Sequence, residues 1–183
     1  MKYSNADIQH GIMLLSYIIK KLGGEGDFLR IFKILYFADQ KHLATYGRTI
    51  SNDRYVAMKN GPVPSLLYDL VKYLRGDGFL VSQEIPMNRY FDLLGKSTLK
   101  LKESADYDLL SESDMEAIDQ SIQENKFLDF NSLSNKSHDT AWNNANFNDD
   151  MDLFEIARAG GANEDMIDYI KESVEIQNLF QCH

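Results

Sequence analysis

The sequence predicts a mainly α-helical α+β fold: a compact domain of about six or seven helices carrying a small β-hairpin, winged-helix-like in part. Three observations lead there. Apolar residues recur at helical spacing through most of the chain, as at Ile8, Ile12, Leu15, Ile19 and Leu22. Short stretches near 55–59, 79–85 and 98–102 alternate instead with the period of a half-buried strand. A chain of 183 residues, 44% hydrophobic and 26% charged, has enough material for one globular core.

The elements follow in order. Asn5 is positioned to cap a first helix that Gly23-Gly24 stops. A second helix is expected over 27–46, apolar on nearly all sides between Ile34 and Ala38, which makes it central. After a turn at 49–52, the 55–59 strand turns Tyr55 and Ala57 to one face and Val56 and Met58 to the other. The chain bends at Asn60-Gly61. Pro62 and Pro64 then suit the start of a helix running to Arg75, because proline fixes φ and lacks an N–H that a first turn does not use.

Strands at 79–85 and 98–102 are expected to pair as a hairpin across a loop at 86–97. Ser111 and Asp114 form a capping-box variant ahead of Met115, Ile118 and Ile122. One or two short helices follow around Leu133 and Trp142. Another covers 151–159, and Asn163 caps a last one with Ile167, Ile170 and Val174 inward. The 143–152 stretch is the expected hinge.

Charge divides the chain. Residues 1–102 carry a net +6 and residues 103–183 a net −15, which sum to −9. Acidic surface repels nucleic acid and membranes and steers toward basic partners, although solvated helix faces account for it equally well. No apolar run approaches the roughly 20 residues that cross a bilayer, and no secretory leader is visible. The single cysteine, Cys182, leaves no internal disulfide or thiolate cluster, so a reducing cytoplasm is the expected setting.

Catalytic constellations are scarce. Gly23-Gly24-Glu25-Gly26-Asp27 follows a helix and lacks the Lys-Ser/Thr of a phosphate loop, so it reads as a joint between helices. His10, His42, His138 and His183 form no metal-binding pair, and surface or helix-capping roles fit His42 and His138. Asp39 and His42, three apart, read as a polar pair on one helix face. No cofactor, metal or catalytic residue is therefore expected. A helix at 64–75 followed by a hairpin resembles a recognition helix and wing, which makes a DNA-binding transcriptional regulator the alternative function. That helix offers only Lys72 and Arg75 as cations, too few to make direct nucleic-acid binding the leading reading.

Two stretches, "KILYFADQKHLATYGRTISNDRYVAMKNGPVPSLLYDL" (33–70) and "LSNKSHDTAWNNA" (133–145), resemble the Panacea domain, the SocA-like antitoxin family of bacterial and phage toxin–antitoxin systems. The resemblance spans about residues 5–145. It implies a helical cytoplasmic antitoxin domain at 1–145 that neutralises a cognate, co-encoded protein toxin by direct stoichiometric binding, with no enzymatic activity. Residues 146–183 then form an acidic helical extension packed on the same domain, and homo-oligomerisation stays open. The residues matching the motif and carried over as partner-binding are Arg54, Tyr55, Asn60, Gly61, Pro62, His138 and Trp142. Large aromatics such as Tyr55 and Trp142 also read as core, and Gly61-Pro62 also reads as a turn needed only for folding. The 86–97 loop is where a departure from the family pattern is expected, and a partner contact made there would be particular to this chain. Taken together, the bend at Gly61-Pro62 is expected to order the central helix and to form part of a preformed docking face with His138 nearby.

Overall fold

In the computed structural model, which describes residues 3–82 and 84–181, one helix runs through the middle and the others pack around it. The chain order is α1 (Asn5–Lys21), β1 (Glu25–Asp27), α2 (Phe28–Tyr46), β2 (Tyr55–Met58), β3 (Gly61–Pro64), α3 (Ser65–Leu74), α4 (Met87–Tyr90), β4 (Phe91–Leu94), β5 (Thr98–Leu101), α5 (Glu112–Asn125), α6 (Phe130–Ser137), α7 (Thr140–Asn144), α8 (Leu153–Ala159) and α9 (Glu164–Gln181). The mainly helical α+β expectation holds.

The central helix is α2, where 13 of 19 residues are buried. It separates two apolar clusters. One gathers Ile12, Leu15 and Ile19 of α1, Ile31 and Leu35 of α2, Leu67 and Leu70 of α3, Leu99 of β5 and Ile118 of α5. The other joins Tyr36, Phe37 and Leu43 of α2 to Tyr55, Leu133, Ala141, Ile156, Ile167 and Ile170. A helix apolar on all sides has to be covered on all sides, and α1, β1, β3, α5, α6 and α8 supply most of that cover.

The helix boundaries follow capping chemistry. Ser4, not Asn5, caps α1: its hydroxyl accepts from Asp7 N–H at 3.1 Å while the Asp7 carboxylate accepts from Ser4 N–H at 2.8 Å. Ser111 and Asp114 repeat the same box at α5. Asp27, Asp129, Asp139 and Asp152 cap α2, α6, α7 and α8 through their side chains, and Asn163 accepts from Met166 N–H at the start of α9.

The strands are where expectation and structure part. Residues 23–27 do more than join two helices, since Glu25–Asp27 pair with β5 at the edge of a three-stranded antiparallel sheet ordered β1-β5-β4. The partner of β5 within the hairpin is Phe91–Leu94, across a tight turn with Gly95 at φ 63°, and not 79–85. Residues 79–82 instead form a 3-10 turn, while Gln83 lies outside the described residues. Leu80 is buried and Phe79 about half exposed, so a short apolar run had offered two phases and the strand phase was the wrong one. The 86–97 segment is likewise no open loop, because it folds into α4 and β4 with Met87 and Phe91 fully buried.

Pro62 is also displaced from expectation. Gly61–Pro64 forms β3, paired with β2 in the register Tyr55↔Pro64, Val56↔Val63, Ala57↔Pro62 and Met58↔Gly61, and α3 starts only at Ser65. Proline is tolerated here because β3 is an edge strand and the two prolines alternate with the residue that pairs through its N–H. The expected hinge at 143–152 is pinned to the same hairpin, with Asn148 N–H donating to Ala57 O (2.8 Å), Ala57 N–H to Asp149 O (3.0 Å) and Met151 N–H to Tyr55 O (2.8 Å). As for the recognition-helix comparison, α3 buries six of its ten residues; Lys72 is paired with Asp69, and Arg75 donates to Lys96 O and lies over the Phe28 ring. Cys182 and His183 lie outside the described residues.

At the C-terminal cap of α8 the backbone comes close to α2, since a Cβ added at Gly160 would strike the carbonyl of Gln40. Backbone cannot swing aside as a side chain can. Gly160→Ala is therefore expected to cost about 1–3 kcal/mol, read as a lower urea midpoint with an unchanged slope.

Candidate functional site

The two motif stretches meet at the β2–β3 hairpin. From α2 come Lys33, Tyr36, Asp39 and Gln40, all on the side facing the hairpin and α6–α7. From the α6–α7 corner come Ser134, Ser137, His138, Asp139 and Trp142. Between them sits the turn at 59–60.

The lower layer is anchored by Asp39, which has no exposed surface. Its carboxylate accepts from Ile50 N–H (2.6 Å), Ser51 N–H (3.1 Å), the Ser51 hydroxyl (2.5 Å) and the Tyr55 hydroxyl (2.7 Å). Burial raises the Asp39 pKa and these donors draw it back down. The Tyr55 hydroxyl is pushed up as well, by burial first and the adjacent carboxylate second. Asp39 and His42 therefore do not form the expected pair: His42 is buried and reaches Arg48 O (2.9 Å), Ser113 (3.1 Å) and Asp114 (3.1 Å).

A second carboxylate, Asp139, ties the corner to α2. It accepts from the Tyr36 hydroxyl (3.0 Å) and Gln40 Nε2 (2.7 Å) while capping α7 through Trp142 N–H (3.1 Å). Tyr36 and Tyr55 meet edge to face, 5.1 Å between centroids. The two acids thus hold the hairpin and the α6–α7 corner against one helix.

The upper layer is the turn itself. Trp142 Nε1 donates to Met58 O (3.0 Å), the Ser134 hydroxyl to Asn60 O (3.2 Å) and Lys33 Nζ to Pro62 O (2.6 Å). His138, which ends α6, stacks on Trp142 at 3.8 Å with planes 24° apart. Its Nε2 is buried and, among the described residues, has no hydrogen-bond partner. The His138 pKa falls below its ordinary value through burial and then the nearby Lys33 charge. Gly61 sits at φ 97°, and a Cβ there would strike Ser137 Oγ and the Lys33 side chain. No other residue fits that position.

The structure brings Asn60, Gly61, Pro62, His138 and Trp142 together and separates the rest. Gly61 and Pro62 are buried, whereas Asn60, His138 and Trp142 are half-buried and reach the surface. Tyr55, 1% exposed, lies inside the second core cluster. Arg54 is exposed at the opposite end of the hairpin, where its Nη1 donates to both carboxylate oxygens of Asp150, at 2.5 and 2.7 Å. A cleft of about 500 Å³ elsewhere is lined by other residues, among them Tyr3, His10, Arg48 and Asp53. Among the described residues no three His, Cys, Asp or Glu side chains converge as a metal site, and no helix is long and apolar enough to cross a membrane.

Sequence reasoning missed Lys33, Ser134, Ser137 and Asp139. Lys33 had left a visible signal, a lone cation in the apolar run "IFKILYF". The family described as antitoxin SocA-like, Panacea domain, matches residues 31–143. No curated protein and no solved structure gives a match.

Two outcomes follow from the site's chemistry. Lys33 is 2% exposed and, among the described residues, has no carboxylate partner, so burial lowers its pKa from 10.5 to about 7. Between those values the unfolded chain holds a proton that the folded chain has lost, so stability rises with pH across the window. Lys33 contributes at most ~1.4 kcal/mol per pH unit of that slope, and denaturant titrations of Lys33→Met are expected to lack it. Tyr55→Phe removes one of Asp39's four donors and is expected to cost about 1–3 kcal/mol while leaving partner affinity unchanged in the folded protein.

Proposed function

The chain belongs to the SocA-like Panacea antitoxin family, and on that premise we propose that it neutralises a co-encoded protein toxin in the cytoplasm by direct, stoichiometric binding. The carrying observation is how the motif's polar groups are used. Asp39 and Asp139, the two carboxylates of this corner, have their oxygens occupied by internal donors. A base must have a lone pair free within reach of a substrate proton, and these are committed to holding a surface in place.

What they hold is the half-buried edge formed by Asn60, His138 and Trp142, with Gly61 and Pro62 behind it. Binding through such an edge loses little conformational entropy, since the turn is fixed before the partner arrives. Trp142 gives the edge an aromatic of the type that dominates interface energetics. Residues 1–145 form the neutralising domain, with 146–183 as an acidic extension upon it.

The experiment expresses the reading frame neighbouring this chain's own, alone and together with it. Growth arrest by the neighbour, relief by this chain and a fixed-ratio complex on copurification are the expected results; a harmless neighbour that forms no complex would remove the reading. Within that complex, Asn60→Ala combined with His138→Ala is expected to weaken affinity about tenfold, or ~1.4 kcal/mol, with a normal melting transition.

A further inference from the structure

We propose that α9 supplies a second contact surface, an apolar face edged with acids that receives a basic amphipathic segment of the toxin; this rests on the antitoxin reading above. The helix already buries one face, with Ile167 and Ile170 in the second core cluster and Met166 and Val174 packed against it. A second apolar set points away. Tyr169, Ile176 and Leu179 are 55%, 54% and 69% exposed. At 100° per residue, Tyr169 and Ile176 fall within about 20° of one another and Leu179 about 60° further round, so they form one stripe.

The stripe continues onto the body of the protein. The Tyr169 ring lies against Gly47 at the end of α2, and the preceding residue, Tyr46, is 51% exposed. A surface helix needs one apolar face to fold; a second one, joined to an exposed aromatic on another element, is the mark of an interaction site. Past Val174 the described side chains of α9, those of Glu175, Ile176, Gln177 and Leu179, are all exposed. Isolated helix ends fray in water, and contact with another chain would order this one.

Charge identifies the occupant. Asp165, Asp168, Glu172 and Glu175 are exposed beside or between the apolar positions, and α9 as a whole carries a net −4. Its one cation, Lys171, is paired with Asp168 at 2.8 Å. A second copy would bring two such helices within the roughly 8 Å over which charges act at physiological salt, and nucleic acid or anionic lipid would meet the same repulsion. A helix or strand bearing Lys or Arg around apolar anchors gains from both features. The family match ends at residue 143, so this surface lies outside the shared residues and can differ with the partner.

The test uses the full chain and, as probe, the purified product of the neighbouring reading frame. Two double variants are compared, Ile176→Ser with Leu179→Ser and Glu172→Lys with Glu175→Lys; all four positions are exposed, and circular dichroism checks the fold. The first pair is expected to weaken binding about tenfold or more. The second is expected to slow association about tenfold at low salt and to flatten its salt dependence. Wild-type affinity in both pairs, with loss in Asn60→Ala/His138→Ala, would overturn this inference and leave the antitoxin reading standing. Failure of the wild-type chain to bind would remove both together. A wild-type dimer in sedimentation that the serine variant dissolves would overturn the basic partner in favour of a second copy.

Discussion

The fold turns on one buried carboxylate. Asp39 sits on the central helix with no exposed surface, where an unsatisfied charge would be ruinous and even a neutral carboxyl needs partners. Its four donors come from residues 50, 51 and 55. That requirement dictates where the chain must return after α2 ends at Gly47: the loop has to fold back alongside the helix, and β2 has to start with its first aromatic pointing down at the acid. Once β2 is placed, β3 follows by pairing and α3 by continuity, with Asp53 accepting from Leu66 and Leu67 N–H at the first turn of α3.

The hairpin then organises everything after it. Its outer edge receives residues 148–151 as a third, partial leg, and its turn receives the α6–α7 corner. The unusual element is Lys33, buried beneath that turn and, among the described residues, with a single carbonyl to donate to. A buried lysine held near neutrality lowers stability relative to an apolar side chain of like size, so its presence is not explained by stability alone. Its amine fixes the Pro62 carbonyl, and its charge and that of His138 disfavour each other. Holding a short turn rigid is a property of use when the turn's exposed side must meet another protein.

Helices were legible in the sequence wherever burial period, cap and stop agreed, as at α2, which runs from the Asp27 cap to Gly47. Small strands were not. Glu25–Asp27 has no apolar alternation because it is an edge defined by its neighbour β5, and Phe91–Leu94 was concealed within a segment whose aromatic content had no evident pattern. Gly61-Pro62-Val63-Pro64 looked like a helix start because proline serves both roles; the deciding fact, that β2 and 148–151 build a hairpin there, is a long-range contact. At the site, residue identities were legible but depth was not. Tyr55 and Trp142 are both motif aromatics, yet one lies inside the core and the other reaches the surface, and that difference depends on which elements close over each.

Acidity in the second half of the chain likewise divides by what each carboxylate does. Asp114, Asp129, Asp139 and Asp152 are spent on helix N-termini, where they satisfy N–H groups and oppose the helix dipole. Asp119, Glu124 and Asp150 are matched by Lys21, Lys41 and Arg54 of the basic half, so part of the charge contrast between the halves is cancelled where they touch. Among the described residues the acids of α9 have no such counterparts in the basic half; Glu164 meets Arg158 of neighbouring α8 and Asp168 meets Lys171 of its own helix. The net charge of −9 is thus unevenly compensated across the surface. Electrostatic steering acts through the charges left uncompensated, and on α9 Asp165, Glu172 and Glu175 stand exposed beside the apolar side chains of the same helix.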